Sequence, residues 1–289
     1  MRDVAVAIRP QRKKHRGRKK RRGASRRARG LWAVRGLAWR VLRRALPLAQ
    51  LFAFVVVVVT VWLTLNWTYQ VVRKPSELFF PVSRALYKTP EQTWRTYGPL
   101  FRRHSTDVIT APFLGALAQV EGAGNPIVRT YWRWSVMRRP FEVYRPASSA
   151  VGMYQITDGT FAEARRYCIR RHAVVEDGPW YSLRSCWFNA LYTRVVPSHA
   201  VELTSAHLHR HTTGILAQQG LAAATATEQQ ALAAVIHLCG AGAGADYARR
   251  GLQPAGQRCG DHDVAAYVAK VSALQRLFTQ LAAAEQTSG

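Results

Sequence analysis

At 289 residues the chain has room for one or two domains, and its formal net charge of +26 is unevenly placed. Residues 1–46 carry 18 Lys/Arg against one acid, Asp3, which puts +17 there and leaves a moderate +9 on the other 243 residues. So long a run of like charge, RPQRKKHRGRKKRRGASRRARG over Arg9–Gly30, cannot bury itself; this excludes the arm from any folded core and predicts disorder over 1–44.

Two readings of the arm stand side by side. It is a cytoplasmic contact for a polyanion, either anionic lipid or nucleic acid. Alternatively it is a topogenic signal that holds the N-terminus inside, and the long apolar run directly after it favours this second reading. Over Leu31–Arg44 the pattern becomes basic, aromatic and amphipathic, with Trp32 and Trp39 between arginines, as suits an inner headgroup boundary.

The 28 positions from Ala45 to Val72 contain no Asp, Glu, Lys or Arg, and their centre, Leu51–Leu63, is apolar on every face. About 20 residues at 1.5 Å each cross a hydrocarbon core about 30 Å thick, so a transmembrane helix is expected over 45–69. Its valines form helices poorly in water, but lipid enforces internal backbone pairing. Trp62, Trp67 and Tyr69 suit the far interface and Trp39 the near one. A cleaved signal peptide has an apolar core of about 7–15 residues ending at small residues; this run is longer and begins far from the N-terminus. The positive flank places the N-terminus in the cytoplasm and exports the remainder. Residues 70–104, with Pro75, Pro81, Pro90 and Pro99 among aromatics, read as a spacer without a core of its own, apart from a short helix after Thr89-Pro90-Glu91.

All four cysteines, Cys168, Cys186, Cys239 and Cys259, lie beyond the apolar run. An even number in an exported domain permits two disulfides in three connectivities, or free buried thiols. The local pairing 168–186 and 239–259 is expected, because each pair brackets a loop-like insert between helical segments. No close Cys/His cluster of metal-binding spacing is present, and no metal or other cofactor is expected.

The domain over 105–283 is mainly α on periodicity. Thr110-Ala111-Pro112 opens a helix whose apolar stripe is Phe113, Leu114, Leu117 and Val120, and Glu121 lies on the edge of that stripe. Gly122-Ala123-Gly124-Asn125-Pro126 ends it. Glu121 is then either an exposed terminal acid or a partly desolvated one able to give up a proton near neutral pH. Between Tyr131 and Pro146, aromatics alternate with Arg133, Arg138, Arg139 and Arg145, as in a sugar-binding cleft or a small aromatic core. Thr227-Glu228-Gln229-Gln230 reads as a capping box before a helix carrying Leu232, Val235, Ile236 and Cys239.

Two blocks of this domain, Gln-Val-Glu-Gly-Ala-Gly-Asn-Pro (Gln119–Pro126) and Ala-Val-Gly-Met-Tyr-Gln-Ile-Thr (Ala150–Thr157), resemble the lysozyme-like lytic transglycosylases, the soluble-lytic-transglycosylase catalytic domain. Weaker similarity continues in Ala233–Gly240 and in Asp263–Val271, so that the resemblance covers roughly residues 108–275. It implies a lysozyme-like helical fold with Glu121 as the one catalytic acid and base. Gln155 and the backbone of Gly152, Met153 and Tyr154 would line the glycan cleft, and His237 and Tyr267 would stand beside it. His237-Leu238 departs from the Tyr-Asn of the family. The implied setting is a bacterial inner membrane, single-pass, with the domain in the periplasm among peptidoglycan strands and with envelope machinery as a candidate partner.

Glycosidases ordinarily use two carboxylates. The other acids, Asp107, Glu142, Asp158, Glu163, Glu176, Asp177 and Glu202, lie in no matching motif. The family dispenses with the second by using the muramic 6-hydroxyl as nucleophile, which leaves a 1,6-anhydro end. A hydrolytic muramidase and a non-catalytic glycan-binding, envelope-assembly protein are the rival readings. His207-Leu208-His209-Arg210-His211 puts His207 and His211 on one helical face, which a metal would suit, although an exposed polar face is the expectation. Ala241–Ala245 lacks the Lys-Ser/Thr of a phosphate-binding loop.

Overall fold

The computed structural model describes residues 47–74, 77–78, 83–134, 141, 143–182, 185–254 and 256–288. The basic arm, its readings as disordered, topogenic or polyanion-binding, and Trp39, Pro75, Pro81, Arg138, Arg139 and Glu142 lie outside them. The chain divides into two units, Met1–Thr64 and Leu65–Gly289. What is described is mostly helical.

Helix α1, Pro47–Arg73, is the one described helix long and apolar enough to cross a membrane, over Ala49–Arg73. In its first part the side chains of Leu51, Phe52 and Val55–Val59 stand exposed. Thr60 and Thr64 turn their hydroxyls back onto the carbonyls of Val56 and Thr60, each at 2.8 Å, so neither needs water. The last turns behave differently. Asn66 and Gln70 are buried, and their side-chain amides donate to the carbonyls of Tyr144 (2.8 Å) and Phe141 (2.7 Å). The helix thus runs four residues past the expected end of the span, and those turns belong to the folded unit.

Among the described residues, seven further helices and their caps position the core of that unit. Helix α2, Pro90–Arg103, starts at a capping box made by Thr89 and Gln92. Helix α3, Ala111–Gly122, starts where the sequence predicts, with Thr110 accepting from the Phe113 amide. The short α4, Asp158–Ala164, precedes α5, Pro197–Gln218. Helix α6, Ala226–Cys239, opens on a reciprocal box two residues ahead of the expected Thr227–Gln230 one: the Thr225 amide donates to Glu228 at 2.7 Å and the Glu228 amide to Thr225 at 3.3 Å. Helices α7, Ala241–Arg249, and α8, Val264–Ser288, complete the set.

The core is built around α3. Phe113, Leu114, Leu117, Leu203, Leu208, Leu232, Val235 and Phe278 are fully enclosed. Burying each side chain of this size contributes about 1.5–3 kcal/mol. Gly115 lets α8 approach α3, since a Cβ there would stand 2.9 Å from the Phe278 ring. Trp94 packs its ring 6.2 Å from Phe101 and 5.9 Å from Phe278. The reading of 70–104 as a spacer is therefore corrected: Trp94, Tyr97 and Phe101 recur at three- and four-residue intervals and form one wall of this core.

Three two-stranded antiparallel ribbons lie outside it. Trp132–Trp134 pairs with Tyr144–Pro146, Tyr167–Arg170 with Ala173–Glu176, and Arg258–Cys259 with His262–Asp263. In the first, the Tyr144 ring packs at a tilt against Trp132 (5.1 Å) and Trp134 (4.6 Å), and Trp132 Nε1 donates to the buried Glu77 at 2.9 Å. Arg129 pairs with the same carboxylate at 2.9 Å. The aromatics of this stretch pack on one another and on the segment just after α1. The cysteines pair as expected, Cys168 with Cys186 and Cys239 with Cys259, at Cα separations of 5.7 and 5.6 Å.

Candidate active site

Glu121 occupies the last turn of α3. The helix stops one residue later because Ala123 takes up a left-handed conformation with φ 46°. The polar residues around Glu121 are committed to structure. Gln119 accepts from the Thr93 hydroxyl (2.8 Å) and donates to the Lys88 carbonyl (3.0 Å). Asn125, wholly buried, donates to the Ser83 carbonyl (2.6 Å) and accepts from the Ile127 amide (2.9 Å). Glu121 is the member of this block whose side chain reaches two other helices instead.

From α8, the Tyr267 hydroxyl donates to Glu121 Oε1. From α6, His237 Nε2 comes within 3.7 Å of the same oxygen, with the two side chains only 12% and 18% exposed. Burial pushes the Tyr267 hydroxyl well above its ordinary range, and the Glu121 carboxylate beside it adds to the shift. Tyr267 therefore keeps its proton and acts as a donor. Three residues singled out separately in the sequence are thus brought together. Cys239, two residues beyond His237, is bonded to Cys259, so a disulfide ties the end of α6 to the ribbon from which α8 emerges.

The loop Val151–Ile156 closes on itself through paired Val151 and Ile156 amides and carbonyls, both at 3.1 Å. Gly152 has φ +81°, and a Cβ there would collide with the Arg194 carbonyl at 2.2 Å. Gly122 is pressed too, though less closely, its missing Cβ falling 2.9 Å from the Met153 backbone. This contact fixes the loop against the end of α3. The side chains of Met153 and Tyr154, however, are fully buried, and the Tyr154 hydroxyl donates to the Leu114 carbonyl at 3.1 Å. These two residues have only backbone to offer a ligand. The Gln155 amide bonds the Gly152 (2.8 Å) and Val128 (3.2 Å) carbonyls and so staples the loop.

The other described acids are engaged elsewhere. Asp158 pairs with Arg194 (2.8 Å), Glu176 with Arg166 (3.1 Å), and Glu163 with His211 (2.8 Å). Asp107 lies 3.4 Å from His209, and Asp177 accepts from the Cys186 amide at 2.8 Å. Glu202 accepts from the Tyr192 hydroxyl (2.7 Å) and the Ile169 amide (2.8 Å). None of these contacts brings a second carboxylate to Glu121.

The exposed polar face expected of His207–His211 is corrected as well. His207 is 9% exposed, and burial, with His211 and His237 adding to it, lowers its imidazole to about 3. Glu163, weighed in the sequence only as a second acid, is the partner of His211; periodicity within α5 carries no signal for a residue on α4.

Compared with protein-family models, curated proteins and solved structures, the chain has no match.

Proposed function

We propose that this chain is a membrane-anchored peptidoglycan lytic transglycosylase with a lysozyme-like catalytic domain. One observation carries the reading: a single carboxylate at a helix end, Glu121, is held by a tyrosine hydroxyl from a distant helix, with no second acid beside it among the described residues. The motif resemblance of Gln119–Pro126 and Ala150–Thr157 supports it, as does the contact of those two blocks through Gly122 and Met153.

In this reading Tyr267 occupies Glu121 Oε1, and Oε2 carries the proton to be transferred. Glu121 gives that proton to the oxygen between N-acetylmuramic acid and N-acetylglucosamine as the muramic C1–O bond breaks. The carboxylate then takes the proton of the muramic 6-hydroxyl while that oxygen bonds to C1. The products are a free 4-hydroxyl and a 1,6-anhydro end; no water is consumed, and Glu121 is protonated again. Such a residue works best with a proton affinity matched to the ambient pH. The backbone of Gly152–Tyr154 would present hydrogen-bonding groups to the glycan.

The apolar helix anchors the protein in the bacterial inner membrane in a single pass, the basic arm stays in the cytoplasm by the positive-inside rule, and the domain faces peptidoglycan in the periplasm. A place in an envelope machine fits this geometry.

The test is digestion of purified sacculi by the full chain in detergent, wild type against Glu121→Gln, with product masses read. Soluble muropeptides lighter by one water than reducing ends, absent with Glu121→Gln, are expected. Reducing ends would replace this reading with a hydrolytic muramidase. Binding to sacculi without release by the wild type would replace it with a non-catalytic glycan-binding assembly protein.

A further inference from the structure

We propose that Glu163, His207 and His211 form a binding site for a divalent transition-metal ion of zinc-like chemistry. One ligand atom from each lies within 4.8 Å of the other two. The arrangement follows from two elements. His207 and His211 are one helical turn apart on α5, so their rings share a face, with centroids 4.4 Å apart and planes at 60°. Glu163, on α4, reaches that face from outside, its Oε1 2.8 Å from His211 Nε2.

The innermost residue gives the independent indication. His207 Nδ1 is buried and has no hydrogen-bond partner. An uncompensated buried polar atom costs about 1–3 kcal/mol, and such orphans in a folded protein call for an explanation. A ligand for the His207 ring would supply one. His209, the middle histidine of the run, points elsewhere and bonds the Thr106 hydroxyl at 3.1 Å.

The donor set selects the ion. Two imidazoles and one carboxylate suit Zn2+ and its first-row neighbours rather than Mg2+ or Ca2+, which take oxygen ligands. Around a tetrahedral ion with bonds of about 2.0–2.2 Å, ligand atoms stand about 3.3 Å apart. The three side chains therefore need shifts of about 1 Å, with the His211–Glu163 hydrogen bond opening to admit the ion. Three protein ligands leave a fourth position for water, and Glu163, 43% exposed, opens the site to solvent.

The site uses none of the residues assigned to glycan cleavage, so its test is separate. The untagged full chain in detergent is stripped with a chelator, returned to metal-free buffer and titrated with Co2+ alone. The expected result is the visible d–d absorption of four-coordinate Co2+, saturating at one ion per chain and abolished by added Zn2+. Changing an outer partner of a ligand typically costs 10–100-fold in metal affinity, so losing a ligand costs at least about 10-fold. Glu163→Gln and His211→Gln, both at partly exposed positions and checked for folding by circular dichroism, should each weaken Co2+ by that factor. His209→Gln should leave it unchanged. Absence of the band in the wild type, or a band that both ligand variants keep, overturns the proposal.

Discussion

The Tyr267 hydroxyl donates to Glu121 Oε1 across 146 residues of chain. That single bond joins the first turn of α8 to the last turn of α3, and it places a neutral donor, rather than a second acid, on the candidate catalytic carboxylate.

Tyr267→Phe keeps the ring and deletes the donor. A hydrogen bond to a charged group contributes about 1.5–3 kcal/mol, so muropeptide release should fall about 10- to 100-fold with the melting temperature little changed. His237 stands at 3.7 Å, outside hydrogen-bonding range, and His237→Ala should cost less than about 10-fold. A larger loss for His237→Ala than for Tyr267→Phe would reverse their ranking.

Gly152→Ala should be among the most damaging single-methyl changes in the domain. The residue sits at φ +81° and the added Cβ meets the Arg194 carbonyl. Strain and overpacking together cost about 2–5 kcal/mol, which lowers the melting temperature by roughly 5–15 °C. Gly159 has nothing within 4 Å of its Cβ position and lies within α4, so Gly159→Ala should be neutral or stabilising by up to about 1 kcal/mol. Differential scanning fluorimetry of the two variants in detergent makes the comparison.

Each disulfide closes a short loop, with separations of 18 and 20 residues, and by chain entropy each contributes about 3 kcal/mol. Replacing either pair by alanines should lower stability by similar amounts. Activity should separate them, because only Cys239–Cys259 ties the end of α6, with His237, to the approach of α8, with Tyr267. Stability curves and turnover measured on both double variants decide this.

Acid should destabilise the domain through His104. Its imidazole is buried, and burial lowers its proton affinity below the ordinary histidine value of 6.5, partly offset by Glu202 3.7 Å away. The unfolded chain takes up the proton more readily than the folded one, so stability is complete above about pH 6.5 and is lost as pH falls. A fully neutral buried imidazole costs up to about 1.4 kcal/mol per pH unit in that range. His199 is shifted the same way, chiefly by burial. Melting temperature tracked from pH 8 to 5 should fall, and His104→Gln should flatten the slope.

Helix starts are legible in the sequence to within a turn because their signals are local: Thr110 with Pro112 opens α3 as read, whereas the box of α6 forms at Thr225 with Glu228, two residues before the Thr227–Gln230 pair. The cysteine pairs are legible for the same reason, and the apolar run of α1 needs no partner to be recognised. Residues whose meaning depends on a remote element are not. Trp94, Tyr97 and Phe101 have helical spacing, yet their place in the core depends on Phe278 and on a segment rich in prolines. Met153 and Tyr154 lie in a loop, where no period tells inside from outside. His207 and His211 share a face by spacing, but their third neighbour, Glu163, is on another helix.

The stitching beyond the apolar helix has a consequence for where the chain can be truncated. Asn66 and Gln70 hold the Tyr144 and Phe141 carbonyls, Glu77 lies buried against Arg129 and Trp132, and α2 supplies core rings. Of the described residues that follow α1, Lys74, Glu77 and Ser83 are buried. A chain begun near residue 105 would lose these contacts and, with α2, one wall of the core. The helix that is long and apolar enough to cross a membrane thus also lends its last turns to the fold, through two buried amides.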